Sequence, residues 1–130
     1  MATWDEVRAL ASALPEAEET ASRDGLPAWS VRGKGFAWER PLRKSDLAAL
    51  GEAAPTGAIL CARVPMVEKE ALLASEPDVF FTTPHFNGYP AVLVRLEVID
   101  ATALEELLVE AWVTQAPRRL SRTYLDSRSQ

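Results

Sequence analysis

The sequence predicts an α+β domain: a mostly antiparallel sheet with helices packed on one face. Three observations carry that prediction. Amphipathic helical stripes open and close the chain, at Trp4–Leu14 and Leu104–Trp112. Apolar and alternating runs suited to strands lie between them. Short Gly-, Pro- and Asn-bearing turns join several of these runs, so the order of elements does not alternate as a parallel βαβ sheet demands. With 130 residues, 48% hydrophobic and 25% charged, the chain fills one core and is neither disordered nor divided in two.

Taken in order, Thr3 and Glu6 form a capping box, and Trp4, Val7, Leu10, Ala11 and Leu14 fall on one helical stripe ended by Pro15. Glu16–Ser22, acidic with small residues interleaved and poorly alternating, reads as a short edge strand or a loop, the strand being favoured. Trp29–Glu39 reads as a β-hairpin about a Gly33-Lys34 turn, which pairs Val31 with Phe36 and Trp29 with Trp38. All four side chains then share the core face, while Ser30, Arg32, Ala37 and Glu39 take the other. Ser45-Asp46 caps a short helix, Leu47–Leu50, stopped by Gly51, and Pro55–Gly57 is a turn. Ala58–Val64 is a strand, Val67–Ser75 a helix anchored by Leu72 and Leu73, and Val79–Thr82 a short strand. Thr83–Pro90 is a turn-rich loop with Asn87-Gly88 as its strongest signal. Ala91–Ile99 is a regular strand, and Thr102 with Glu105 opens the last helix, closed by Pro117. The basic segment from 118 to 130 is expected to be a mobile tail following a single domain over 1–117.

Several segments together resemble the MmcQ/YjbR family: Leu14-Pro15-Glu16, the run Gly25–Lys34, Phe36–Glu39, Pro77–Phe81, Thr83–Pro90 and Leu107–Trp112. The resemblance covers residues 4 to about 117 and implies a two-layer fold like that of the bacterial frataxin homologue. It also implies a DNA-binding label, attached to a fold feature called a double wing. Asn87 stands where the family's His-Phe-Asp-Gly-Tyr stretch usually has Asp.

The residues themselves place limits on function. Cys61 is the one cysteine and His85 the one histidine, so an intramolecular disulfide and a multi-His or Cys-rich metal site are excluded. Cys61, in an apolar strand, is expected to be a small buried hydrophobe. No phosphate-cradling glycine loop or other cofactor signature is present, and no nucleophile–base pair is legible, so a non-enzymatic protein is expected. The Met-Ala-Thr-Trp start lacks a signal-peptide pattern and no apolar run approaches a membrane span, so a cytoplasmic location is expected.

A net charge of −5 opposes non-specific attraction to polyanions. Basic residues are nevertheless concentrated: Arg32, Lys34, Arg40, Arg43 and Lys44 face only Glu39, and Arg118, Arg119, Arg122 and Arg128 face only Asp126. Two binding readings follow. In the first, Arg32, Lys34 and Arg40 of the hairpin segment join Arg63 and Arg95 in a basic stripe across an open sheet face and hold DNA phosphates. In the second, the loop carrying His85, Asn87 and Tyr89 borders a concavity for a protein partner or small ligand. Surface ion pairs with Glu39 and Glu97 would account for the arginines without a ligand. A hydrogen-bonded loop anchor would likewise account for His85.

Overall fold

The computed structural model describes residues 2–22, 24–55 and 57–128. Thr56, at the centre of the predicted 55–57 turn, and Ser129 and Gln130, at the end of the predicted tail, lie outside them. Helix α1 (Trp4–Ser12) starts where the Thr3 hydroxyl accepts the Glu6 amide at 3.2 Å, and it buries Val7 and Ala11. Strands β1 (Ala17–Ala21), β2 (Pro27–Val31) and β3 (Lys34–Glu39) follow as consecutive hairpins. After α2 (Lys44–Leu50) come β4 (Ile59–Arg63), α3 (Met66–Ser75), β5 (Phe80–Phe81) and β6 (Ala91–Arg95). The chain then forms α4 (Ala101–Gln115) and α5 (Arg118–Arg128). Among the described residues the strands make one six-stranded sheet, ordered β1-β2-β3-β4-β6-β5, with every neighbouring pair antiparallel. This is the α+β architecture the sequence predicts.

The long helices lie on one face of the sheet because alternate strand residues and their helical stripes meet there. Trp29, Leu60, Ala62, Val92 and Val94 pack against Val7 and Ala11 of α1 and Leu104, Leu108 and Trp112 of α4. Each large side chain buried in this layer contributes about 1.5–3 kcal/mol. The Trp112 indole N–H donates to the Pro15 carbonyl at 3.0 Å, which locks α4 to the end of α1. The opposite face, expected to be open, carries a smaller apolar layer of its own. Ile59, Cys61, Phe81 and Leu93 lie there beneath Phe86, Leu42 and Leu50, which come from α2, its approach and the 84–86 turn.

Four sequence readings are corrected. The hairpin turns at Arg32-Gly33, not Gly33-Lys34: Val31 pairs with Lys34, and Arg32 and Gly33 take φ of 50° and 81°. Two consecutive left-handed residues match the right-handed strand twist. A bulge then makes Trp29 face Ala37 and Ser30 face Gly35, with Phe36 as the extra residue. The inserted residue keeps both Phe36 and Ala37 in the helix-side core and turns Trp38 to the other face, opposite Cys61. Trp29 instead stacks on Trp4, with ring centroids 6.5 Å apart.

The strand predicted to reach Ile99 ends at Arg95, and Val98 is exposed, because the chain turns back on Arg95, whose carbonyl accepts the Val98 and Ile99 amides. Asp100, not Thr102, caps α4, accepting the Ala103 amide at 2.7 Å. The segment expected as a mobile tail forms α5, anchored by Leu120 and by Tyr124, whose ring sits edge-on to Trp112 at 5.1 Å. Leu120 and Tyr124, four residues apart, form the apolar stripe that packs it on the core.

Candidate functional site

The site begins with the bulge at Phe36. By shifting the strand parity it places Trp38 on the smaller-core face, above Cys61 and at the mouth of a cleft of about 420 Å³. The opposite wall is the 3-10 turn Pro84–Phe86 and the residues after it. His85 and Tyr89 line the cleft together with Phe86, while Asn87 does not line it. Arg40, Pro41 and Arg43, between β3 and α2, contribute a third side, and Ser22, Asp24 and Glu39 complete the lining.

Lys69 of α3 holds the His85–Tyr89 wall in place. It is 2% exposed, and its ammonium donates to the carbonyls of Phe86 at 2.6 Å and Tyr89 at 2.9 Å. Burial pushes its pKa below the ordinary value. Arg63 braces the same wall from β4, lying 4.8 Å from the Tyr89 ring centroid and donating to the Tyr89 hydroxyl at 2.6 Å. Phe86 touches both rings of the wall edge-on, His85 at 5.1 Å and Tyr89 at 6.0 Å.

Below the wall, Arg40 is 7% exposed, pairs with the buried Asp46 at 3.1 Å and lies 5.2 Å from the Phe86 centroid. Its guanidinium also donates to the Pro41 carbonyl. Burial would raise the Asp46 pKa, but the Arg43 backbone N–H at 2.9 Å and the Arg40 charge outweigh it and hold the carboxyl low. At the rim, Arg43 and Asp24 meet at 3.5 Å with both side chains more than half exposed. Such a long, solvated pair is weak and open to exchange with a ligand.

The expected basic stripe does not form. Arg32, on the hairpin tip, is bound through both its Nε and Nη2 to Glu16, at 2.8 and 2.9 Å. That pair lowers the Glu16 pKa and raises that of Arg32. Arg63 and Arg95 do share a face, but register pairs Arg63 with Ala91 and Arg95 with Ile59. They are therefore four residues apart along the strands, about 13 Å, and Arg95 lies over Phe81 at 4.8 Å. Arg40 is buried in its ion pair. Lys34 is exposed and makes no ion pair among the described residues.

The cleft thus gathers His85 and Tyr89 from the predicted loop and Arg40 from the predicted basic set. It adds Asp24 and Arg43, which local pattern does not single out, and Trp38, for which the hairpin pairing favours core burial over stacking on a nucleobase. Trp38 was hidden by the single-residue bulge. The place of Lys69 was legible in principle, since it is three and four residues before the core anchors Leu72 and Leu73 on one helical face.

Comparison with known proteins follows the same fold. The YjbR family model matches residues 12–114. The uncharacterised protein Rv2570 of Mycobacterium tuberculosis is 52% identical over 129 residues, covering 96% of this chain and 97% of its own. Mb2600 of Mycobacterium bovis, also described as uncharacterised, has the same identity and coverage. The crystal structure of the Deinococcus radiodurans protein DR2400, with a DUF419 domain, superposes with a TM-score of 0.66. The two are 22% identical, and the match covers 88% of this chain and 78% of that one. No helix of the described residues is long and apolar enough to cross a membrane.

Proposed function

The chain belongs to the YjbR family, and from that premise we propose that it is a non-enzymatic protein that binds a small ligand between Trp38 and the His85–Tyr89 wall. One observation carries the reading. A cleft of about 420 Å³, a volume ordinary for small-molecule sites, has an aromatic lining of Trp38, His85, Phe86 and Tyr89 and a polar rim of Asp24 and Arg43. Its far wall is pinned by Lys69 and Arg63, so the site is preformed and little ordering cost falls on binding. Binding rather than catalysis is assigned because the His85 ring makes its contact with Phe86, and no carboxylate orients it among the described residues.

The test is a residue-resolved NMR titration of the full chain with a set of aromatic acids and heterocycles. Saturable shifts converging on Trp38, Arg43 and Tyr89, lost in Trp38→Ala with the remaining amide shifts of the folded chain retained, are expected. An absence of saturable shifts at those residues rejects the reading.

DNA binding is a second reading, favoured by a different observation. Gln115 donates to the Gly35 carbonyl at 3.0 Å, bringing the start of α5, with the exposed Arg118 and Arg119, to the hairpin tip that carries Lys34. Phosphate contacts from these three side chains would position a nucleic-acid backbone without reading bases. The reading predicts salt-sensitive binding of duplex DNA, weakened uniformly across sequences by Lys34→Ala and by Arg118→Ala. Fluorescence anisotropy at low salt that detects no complex eliminates it.

A further inference from the structure

We propose that the ligand of this cleft is a nucleobase, carried by a nucleotide. The inference rests on the reading of the cleft as the binding site and names the chemistry it selects. Trp38 enters from β3 and His85 from the turn opposite, both lining one cleft of about 420 Å³ with Phe86 beneath. Flat π-surfaces of this kind favour a flat, polarisable guest that buries its faces, and stacking on an aromatic side chain contributes about 1–3 kcal/mol per base.

The rim then selects among flat guests. Arg43 supplies hydrogen-bond donors only and Asp24, as a carboxylate, acceptors only, and the two lie 3.5 Å apart. A guest that satisfies both must show acceptor and donor atoms side by side on one edge. Nucleobases do so, with ring nitrogens or carbonyl oxygens beside N–H groups, and Arg is well suited to such acceptor pairs. A purely apolar ring would strip water from this rim pair and return no hydrogen bond.

Electrostatics limit the guest's charge. Arg40 is already neutralised by Asp46 at 3.1 Å, so among the described lining residues Arg43 is the cation not buried in an ion pair. With Arg43 engaged at the edge of the base, the described lining offers no second free cation, so the base rather than the phosphate carries the binding. The Tyr89 hydroxyl accepts from Arg63 at 2.6 Å and keeps its own proton, which leaves a donor at the cleft wall for a base or sugar oxygen. The base and sugar of a nucleotide use each of these groups.

Isothermal titration of the full chain with adenosine monophosphate and guanosine monophosphate, alongside ribose phosphate and benzoate, tests the inference. Both nucleotides are expected to bind at one site. Trp38→Ala should weaken them about tenfold, while Trp38→Phe, which keeps a stacking ring, should stay within a few-fold of the parent. A single-stranded trinucleotide tells a free nucleotide from a base presented by a strand, and saturable Trp38-dependent binding of either supports the nucleobase. If benzoate binds and Trp38→Ala abolishes its binding, while neither nucleotides nor trinucleotide bind, the cleft stands and the nucleobase is rejected. Nucleotide binding indifferent to Trp38→Ala places the base elsewhere and overturns the inference. If no probe binds, both readings fail together.

Discussion

Replacing Lys69 with methionine keeps the aliphatic stem of the side chain but removes the ammonium that donates to the Phe86 and Tyr89 carbonyls at 2.6 and 2.9 Å. Hydrogen bonds from a charged donor contribute about 1.5–3 kcal/mol each, so the gross loss is about 3–6 kcal/mol. Relief of burying a charge offsets part of this, because desolvation of a buried ion costs several kcal/mol when its partners are uncharged. A net destabilisation of about 2–3 kcal/mol is expected, measured as a lowered urea midpoint with an unchanged m-value.

The pH dependence gives a second, independent signature. Burial lowers the folded-state pKa of Lys69 below its ordinary value of 10.5. Between the lowered and the ordinary value, the unfolded chain holds a proton the folded chain has shed. Stability therefore rises with pH through that window and is fully gained only above the ordinary value. Urea unfolding of parent and Lys69→Met between about pH 8 and 11 should show the stability difference, parent minus variant, growing with pH, because groups such as Cys61 titrate alike in both. Equal midpoints, or the same alkaline slope in both proteins, would refute the assignment of Lys69 as the pin of the His85–Tyr89 wall.

Three further outcomes are expected. Arg40→Ala leaves Asp46 buried without its guanidinium and should cost about 3–5 kcal/mol in chemical denaturation. The low Asp46 pKa in the fold makes its stabilising contribution present above the ordinary carboxylate value and lost as pH falls through the lowered one. In acid titrations the Arg40→Ala protein should therefore lose part of that slope, the Arg43 N–H keeping the rest, and an unchanged slope speaks against the pair. At the hairpin turn Arg32 is left-handed with φ of 50°, so Arg32→Asn should be neutral or stabilising by about 0.5 kcal/mol, whereas Arg32→Val should cost about 2 kcal/mol. Equal melting temperatures for the two variants contradict the turn geometry. The buried Cys61 thiol is pushed up to about 12, so its reaction with a disulfide reagent near neutral pH should proceed only at the rate of unfolding. Rapid labelling of the native chain is the contrary result.

The elements legible in the sequence were those set by local pattern. The Trp4–Leu14 stripe with its Thr3 cap, the strand around Cys61 and the turn at Asn87-Gly88 depend on neighbours within a few residues. What escaped depended on distant partners or on a single inserted residue. Phe36, as the extra residue of a bulge, reversed the face of Trp38 and with it the wall of the cleft. For Arg32, Arg40 and Arg63, engagement was legible but not its partners: in place of Glu39 and Glu97, Glu16, Asp46 and Tyr89 reach them through the fold. Lys69 meets its carbonyls across 17 and 20 residues of chain. The basic segment after Pro117 was too polar to read as packed, yet Leu120 and Tyr124 hold it against the core.

The most direct test of the central claim is a pair of amide shift maps recorded on one sample, first with adenosine monophosphate and then with duplex DNA. The cleft account predicts that the nucleotide moves Trp38, Arg43 and Tyr89 while the duplex leaves Lys34, Arg118 and Arg119 in place. Shifts at the hairpin tip and α5 with duplex, and none around Trp38 with nucleotide, would contradict it.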